Sequence, residues 1–238
     1  MDDRPPVTVL TRTASSRAVE SIGWRYLLGT LSTSVVVRSL GEASRVATDV
    51  VAECGEDSDG HLRIDLRPDR VELSLRDRDA GGVTELDVEL ARRISATASG
   101  IGVATGGATS NESSRPVQML EMAIDALDIA SVRPFWKAVL AYIDEPGRDD
   151  PARGIVDPAG QLPSIWFQQM DAPRVQRNRV HFDITVSHDE AEARVRAALG
   201  ANGVLVSDSN ARAFWVLADV EGNEVCVCTW TDRDERGW

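Results

Sequence analysis

Residues 179–186 read Arg179-Val-His181-Phe-Asp183-Ile-Thr185-Val, with polar and apolar side chains in strict alternation. Successive side chains of a β-strand point to opposite faces, so the sequence predicts a strand with every odd-numbered residue on one face. The even-numbered residues are apolar, and we expect them to pack on a core. The alternation leaves three interpretations of the polar face open: it lines a ligand cavity, it binds a metal, or it faces water.

Elements on both sides of this strand form an internal repeat. Apolar spacing and turn residues predict a helix over 188–199, followed by strands over 203–206, 212–218 and 224–230. The same order occurs upstream, with a strand over 117–127, a helix over 131–141 and strands near 154–156 and 164–170. A repeat is stronger evidence for a fold than local propensity is, so we expect paired βαβββ repeats.

The first half of the chain has a different order of elements. The sequence predicts a short helix at 17–22, a strand-rich segment over 27–40, a helix over 42–53, strands over 62–66 and 71–75, and a helix from a capping box at Thr84–Asp87 to about residue 98. An antiparallel sheet with helices on one face is the economical arrangement, which makes the protein α+β. A Gly-, Ser- and Thr-rich stretch at 103–116 predicts a linker between domains at 1–102 and 117–238.

Charge and cysteine content exclude several classes of function. Lys and Arg total 26 against 38 Asp and Glu, a formal net charge of −12, which disfavours nucleic acid and anionic membranes as partners. No apolar run is long enough for a membrane span, and the polar start at Met1-Asp-Asp-Arg is unlike a signal peptide, so we expect a cytoplasmic protein. The 3 cysteines and the lack of a CxxC motif argue against a disulfide framework and a structural zinc site.

The second half resembles the vicinal-oxygen-chelate superfamily, in its glyoxalase-like and bleomycin-resistance-like branch. The resemblance covers 117–232 and rests on the motifs at 135–140, 163–168, 177–183 and 219–226. It implies a cup-shaped sheet that holds a small ligand, often over a divalent metal. The cup would be lined by these side chains: Glu121, Trp166, Gln168, His181, Asp183, Trp215 and Cys226.

The metal positions of that superfamily fall on Glu121, His181 and Cys226 in this chain. The superfamily usually has Glu at the last of these positions, and a neutral thiol is a poor ligand for hard ions such as Mg²⁺. We therefore expect a metal-free cup that needs no cofactor, with a divalent metal as the alternative.

The first half resembles the pterin-4a-carbinolamine dehydratases over residues 10–100. The matching segments are Gly23-Trp24-Arg25, Leu62–Arg67 and Gly82–Asp87 followed by Leu90-Ala91. The family removes the 4a-hydroxyl of a hydroxytetrahydropterin with histidines as acid and base. Here the resemblance implies His61 as the remaining acid or base, Asp87 as its orienting partner and Arg78 as a substrate contact. The first histidine of the family's pair is replaced by Gly60 and the third by Arg78, which cannot exchange protons at neutral pH.

These observations support three functional hypotheses. The protein binds a small molecule in the second domain, passively or with glyoxalase-like or lyase chemistry. Alternatively, it is a 4a-hydroxytetrahydrobiopterin dehydratase that uses His61. In the third hypothesis the first domain is an oligomerisation module for a ligand-sequestering protein of the resistance type. The resemblance of the first half implies a homo-oligomer.

Overall fold

The computed structural model describes residues 7–106, 117–147, 153–173 and 180–236. The chain divides into two compact units, residues 1–119 with 146–148 and residues 120–145 with 149–238. Among the described residues, no helix has the length and apolar character required to cross a lipid bilayer.

The first unit is a four-stranded antiparallel sheet with three α-helices. Its elements are α1 (Arg12–Val19), a 3-10 helix (Glu20–Ile22), β1 (Arg25–Leu27), β2 (Thr30–Val36), α2 (Leu40–Cys54), a 3-10 helix (Gly55–Ser58), β3 (Leu62–Leu66), β4 (Arg70–Leu75) and α3 (Glu85–Gly100). The strand order is β1-β2-β4-β3. Alternate residues of β4, namely Val71, Leu73 and Leu75, are buried in the first core together with apolar residues of α2 and α3. The helices therefore pack on the face of the sheet that those residues form.

Two details of this unit differ from the sequence prediction. The segment 27–40 is not one strand, because Leu28 and Gly29 have φ values of 44° and 76° and form the turn of a β1–β2 hairpin. Residues 103–106, which we assigned to the linker, pair with the first unit: Thr105 forms a bridge with Val35, and the Gly106 amide donates to the Ser34 carbonyl. The rest of the predicted linker, 107–116, lies outside the described residues.

The second unit confirms the paired βαβββ repeats. The first repeat contains β5 (Glu121–Ala126), α4 (Ile129–Leu140), β6 (Ile143–Asp144), β7 (Ile155–Val156) and β8 (Ser164–Gln169). The second contains β9 (Asp183–Thr185), α5 (Ala191–Gly200), β10 (Val204–Ser207), β11 (Phe214–Ala218) and β12 (Glu224–Cys228), and is followed by the short helix α6 (Arg233–Arg236). Each repeat forms its own four-stranded sheet, in which the first strand pairs in parallel with the last. The sequence did not predict β6, which is only two residues long.

The two repeats share one core, and hydrogen bonds at the turn between β11 and β12 connect them. The indole N–H of buried Trp136 on α4 donates to Oδ2 of Asp219 at 3.0 Å. In the same turn, the carboxylate of Glu221 accepts from the backbone amides of Leu127 and Asp128 at 2.8 and 2.7 Å. A carboxylate at a helix start satisfies amides that have no partner within the helix. The turn of the second repeat thus satisfies two amides directly before the first repeat's helix, whose N-cap is the Asp128 side chain.

Asp144 on β6 gathers three cations. Its carboxylate accepts from Lys137 at 2.7 Å, from Arg153 at 3.0 Å and from Arg133. The hydrogen bonds from Lys137 and Arg133 lower the pKa of Asp144 to about 2, although partial burial acts in the opposite direction. This carboxylate therefore holds α4 against the strand that follows it.

The lowered pKa of Asp144 predicts a pH dependence of stability. Because the folded-state pKa lies below the value of 3.8 for a free aspartate, its stabilising contribution is present above about pH 4 and is lost as the pH falls toward 2. We expect Asp144→Asn to lower the urea midpoint at pH 6, and the difference from wild type to shrink between pH 4 and pH 2. Asp208→Asn, at an exposed carboxylate, is the control. A difference between wild type and Asp144→Asn that is constant over this range would contradict the prediction.

Candidate functional sites

The first site joins the residue before β3 to the start of α3. Nδ1 of His61 lies 2.9 Å from Oδ1 of Asp87, whose side chain is fully buried. Oδ2 of Asp87 accepts from the amide and the hydroxyl of Thr84 at 2.7 and 2.8 Å, which is the capping box expected from the sequence. Since both Asp87 oxygens act as acceptors, the ring of His61 presents Nδ1–H to Asp87 and leaves Nε2 for another partner. The helix cap therefore also orients an imidazole.

A second carboxylate faces the opposite nitrogen of the ring. Oδ2 of Asp77 lies 3.8 Å from Nε2 of His61, and only about an eighth of each side chain is exposed, 12% and 13%. Oδ1 of Asp77 accepts from the amides of Asp79 and Ala80 at 3.0 and 2.8 Å, so the turn fixes the direction of the carboxyl group. His61 thus lies between two carboxylates, and a proton at Nε2 has an acceptor nearby.

Arg78 and Gly60 lie beside this histidine. The amide of Arg78 donates to the Gly60 carbonyl at 3.2 Å, and its exposed guanidinium donates to the Leu62 carbonyl at 3.2 Å. The structure therefore brings the backbones that carry His61 and Arg78 together at one edge of the first unit. Gly60 has φ 78°, a conformation that is strained for a side chain such as histidine. The backbone here suits the glycine that replaces the family's first histidine.

The second site is a cavity of about 340 Å³ on the sheet of the second repeat. Strands β9, β11 and β12, the turn between β11 and β12, and α6 contribute its walls. The lining residues are Val180, His181, Phe182, Asp183, Phe214, Val216, Gly222, Glu224, Val225, Cys226, Cys228 and Arg233. His181, Asp183 and Thr185 are exposed and Phe182, Ile184 and Val186 are half-buried, which agrees with the alternation in the sequence. The predicted strand is shorter than expected, since β9 covers only Asp183–Thr185, and Val180, which the alternation assigned to the core, is exposed. Arg179 lies outside the described residues.

Cys226 and Asp183 form a pair at the centre of this cavity. Residue 226 is the ladder partner of residue 183, and the thiol of Cys226 is hydrogen-bonded to the Asp183 carboxylate. Burial, followed by this hydrogen bond, raises the pKa of Cys226 to about 12. Burial also raises the pKa of Cys228, two residues along the same strand. Both thiols are therefore protonated at neutral pH, which makes them poor nucleophiles.

Four of the side chains predicted for the cup do not line this cavity. Glu121, Trp166 and Gln168 are exposed together on one face of the β5–β8 pair, where the Ser164 hydroxyl approaches Glu121 at 3.5 Å. Trp215 packs on the second core, because the alternation of β11 directs Phe214 and Val216 to the cavity and their neighbour to the opposite face. The aromatic residue that β11 places in the cavity is Phe214. Of the predicted set, His181, Asp183 and Cys226 lie in the cavity.

The predicted metal positions do not form a coordination site. Among the residues the structure describes, no three His, Cys, Asp or Glu side chains form a group that could hold a metal ion. Cysteine binds metals as a thiolate, whereas the Cys226 thiol is protonated and donates to Asp183. The donor set of Glu121, His181 and Cys226 therefore does not fit a divalent ion.

Sequence reasoning missed three residues of the two sites. Asp77 was overlooked because the resemblance pointed to the neighbouring position 78, although an Asp before a turn is a known signal for side-chain caps. Phe214 was overlooked in favour of the larger Trp215. Arg233 follows the last strand, and no pattern in the sequence indicated that it would line the cavity.

Comparisons with known proteins match two segments of the chain to protein families. Residues 121–228 match the family model of the glyoxalase-like domain, and residues 8–97 match that of pterin 4 alpha carbinolamine dehydratase. A putative pterin-4-alpha-carbinolamine dehydratase of Thermomicrobium roseum is 36% identical over 87 residues, which cover 37% of this chain and 92% of the relative.

Two solved structures each align with part of the chain. A transcriptional coactivator/pterin dehydratase of Brucella melitensis is 24% identical, with 38% of this chain and 99% of that chain covered and a TM-score of 0.35. A glyoxalase/bleomycin resistance protein/dioxygenase family enzyme of Burkholderia phytofirmans is 18% identical, with 46% of this chain and 95% of that chain covered and a TM-score of 0.38.

Proposed function

The chain belongs to the pterin-4a-carbinolamine dehydratase family through residues 8–97, and its residues 121–228 match the glyoxalase-like domain. From this premise we propose that the chain binds a small organic molecule in the cavity of the second unit. The observation that carries the proposal is the cavity itself. Its volume of about 340 Å³ is within the usual range for ligand sites. Apolar side chains and a few polar groups line it, as is typical of sites that bind by shape and a small number of hydrogen bonds.

Binding rather than covalent chemistry is the role that these residues support. The two cysteines are protonated, and the donor set does not fit a metal. The cavity can still hold a ligand through the apolar surface of Phe214 and Val216 and through hydrogen bonds to His181 and Asp183. A ligand-sequestering role, as in resistance-type proteins, needs no more than this.

Filling the cavity tests the proposal. Val216 lines it opposite residue 226, so Val216→Trp places an indole in the space that a ligand would occupy. We expect the variant to weaken binding of the neutral probe 4-methylbenzamide at least tenfold in a protein-observed NMR titration. Val206→Trp, on exposed β10 and outside the cavity lining, is the matched control. If Val216→Trp and Val206→Trp bind the probe equally well, the cavity is not the binding site.

A second function is favoured by the His61–Asp87 pair. Dehydration of a 4a-hydroxytetrahydropterin removes the proton on N5 and breaks the bond between C4a and the hydroxyl oxygen, so one water leaves. With Nδ1–H held by Asp87, Nε2 of His61 can take the N5 proton and return it to the departing hydroxide. One imidazole that cycles in this way balances the reaction without the two missing histidines.

Asp77 supports the same assignment. Its carboxylate lies on the Nε2 side of the ring, where it can accept a hydrogen bond from protonated His61 between the two transfers. The exposed guanidinium of Arg78 is then left for contacts to the pterin, which offers carbonyl and ring nitrogen acceptors.

A further inference from the structure

The ladder around the cavity arranges its polar side chains in rows. Asp183 on β9 and Val216 on β11 are the ladder partners of Cys226, and Thr185 and Phe214 are those of Cys228. Cys226 and Cys228 are two residues apart on one strand, so the two rows are separated by roughly 6.6 Å. The cavity therefore has a central row at Cys226 and an end row at Cys228.

The end row carries a cation. Nε of Arg233 donates to the Thr229 carbonyl at 2.6 Å, and the guanidinium is hydrogen-bonded to the Cys228 sulfur. These two bonds fix a group that has five N–H donors, so donors remain for a ligand. In the described parts of the chain, no carboxylate lies within ion-pair distance of Arg233. An anionic group of a ligand would supply that missing partner.

The central row carries an anion. The Asp183 carboxylate accepts from the Cys226 thiol, which leaves most of its lone pairs for another donor. Glu224, one row farther along the same strand, also lines the cavity. Opposite charges thus face one cavity at a fixed separation, and Phe214 and Val216 form an apolar wall along it.

From this arrangement we propose that the cavity selects amphoteric small molecules, with an anionic group bound by Arg233 and an ammonium or other N–H donor about 7 Å away bound by Asp183. This inference rests on the proposed binding function and gives the ligand its chemical class. The apolar wall favours a flat or aliphatic spacer between the two charged groups. Neutral molecules of the same shape fill the space but leave both charged residues without a ligand partner.

Three isosteric probes test the selection on the full-length protein. 4-(Aminomethyl)benzoate carries both charges at a comparable spacing, 4-methylbenzoate carries only the anion and 4-methylbenzylamine only the cation. We expect NMR titration to give a dissociation constant for the first that is at least tenfold lower than for either of the others. Arg233→Met should remove the advantage over 4-methylbenzylamine, and Asp183→Asn the advantage over 4-methylbenzoate.

Matched variants separate charge recognition from misfolding. Arg233→Lys keeps the positive charge and should retain part of the selectivity, while Arg196→Met and Asp208→Asn change exposed residues outside the cavity and should behave as wild type. If the three charged probes bind with equal affinity, the proposed charge selection is wrong. If Val216→Trp also loses binding of 4-methylbenzamide, the cavity is still the binding site and the proposed binding function stands. If none of the four probes binds, both proposals fall.

Discussion

Replacing His61 with alanine is expected to lower the rate of 4a-hydroxytetrahydropterin dehydration by about 10²–10⁴-fold, the usual contribution of general acid–base catalysis. The reason is that the variant removes the nitrogen that moves the proton, while Asp87 and the cap of α3 keep their own hydrogen bonds to Thr84. The measurement is a stopped-flow assay of dehydration with full-length protein, with the spontaneous reaction subtracted.

Two further variants serve as a control for His61→Ala and as a test of the neighbouring carboxylate. His188→Ala removes an exposed histidine of the second unit and should leave the rate at the wild-type value. Asp77→Asn keeps the size of the side chain and an acceptor for the turn amides, but it removes the negative charge beside protonated His61. We therefore expect it to reduce the turnover number more than it changes the Michaelis constant. A wild-type protein that is no faster than the spontaneous reaction would exclude the dehydratase function and leave the cavity of the second unit unaffected.

Replacing Asp219 with alanine is expected to destabilise the second unit by about 3 kcal/mol. Asp219 is 2% exposed and accepts hydrogen bonds from the Trp136 indole, from the amides of Glu221 and Asn223 and from the Asn223 side chain, at 2.9 to 3.0 Å. Alanine leaves the buried indole N–H without an acceptor and loosens the turn. Since a typical domain is stable by about 5–15 kcal/mol, this is a large fraction of the total.

Urea unfolding followed by near-UV circular dichroism measures the loss. Asp219→Asn retains one acceptor oxygen and should lie between the wild type and the alanine variant, whereas Asp208→Ala, at an exposed position, should unfold as the wild type does. A loss below 1 kcal/mol in Asp219→Ala would mean that other groups satisfy the indole.

The elements that sequence patterns predicted best are those whose periodicity follows burial directly. The alternation predicted which side chains of 181–186 are exposed and which are half-buried, although β9 covers only Asp183–Thr185, and the Thr84–Asp87 pattern predicted the start of α3. The repeat of strand and helix order gave the architecture of the second unit, because it depends on many residues at once. Short elements such as β6 are too brief to establish a period, and the β1–β2 hairpin depended on a two-residue turn inside a continuous apolar segment.

Side-chain direction within a strand was harder to predict than the strand itself. Trp215 is large and aromatic, which made it a candidate ligand contact, but its neighbours take the cavity face and its own position packs on the core. The proximity of Asp77 to His61 could be found only from the fold, since the two lie 16 residues apart along the chain and meet where the ends of β3 and β4 come together. Arg233 depends in the same way on the path of the chain after β12.

The carboxylate of Glu221, which binds two amides just before α4, can reach them only late in the synthesis of the second unit. The residues it contacts, Leu127 and Asp128, precede it by 94 and 93 positions. At typical elongation rates of about 5–20 residues per second, the first repeat leaves the ribosome roughly 5–20 seconds before these two amides receive Glu221 and Trp136 receives Asp219. Until then, that repeat exposes an indole N–H and two amides before α4 that later residues will satisfy. The second unit therefore completes the contacts of α4 only when nearly all of it has been synthesised, and until then the nascent first repeat carries polar groups without their native partners.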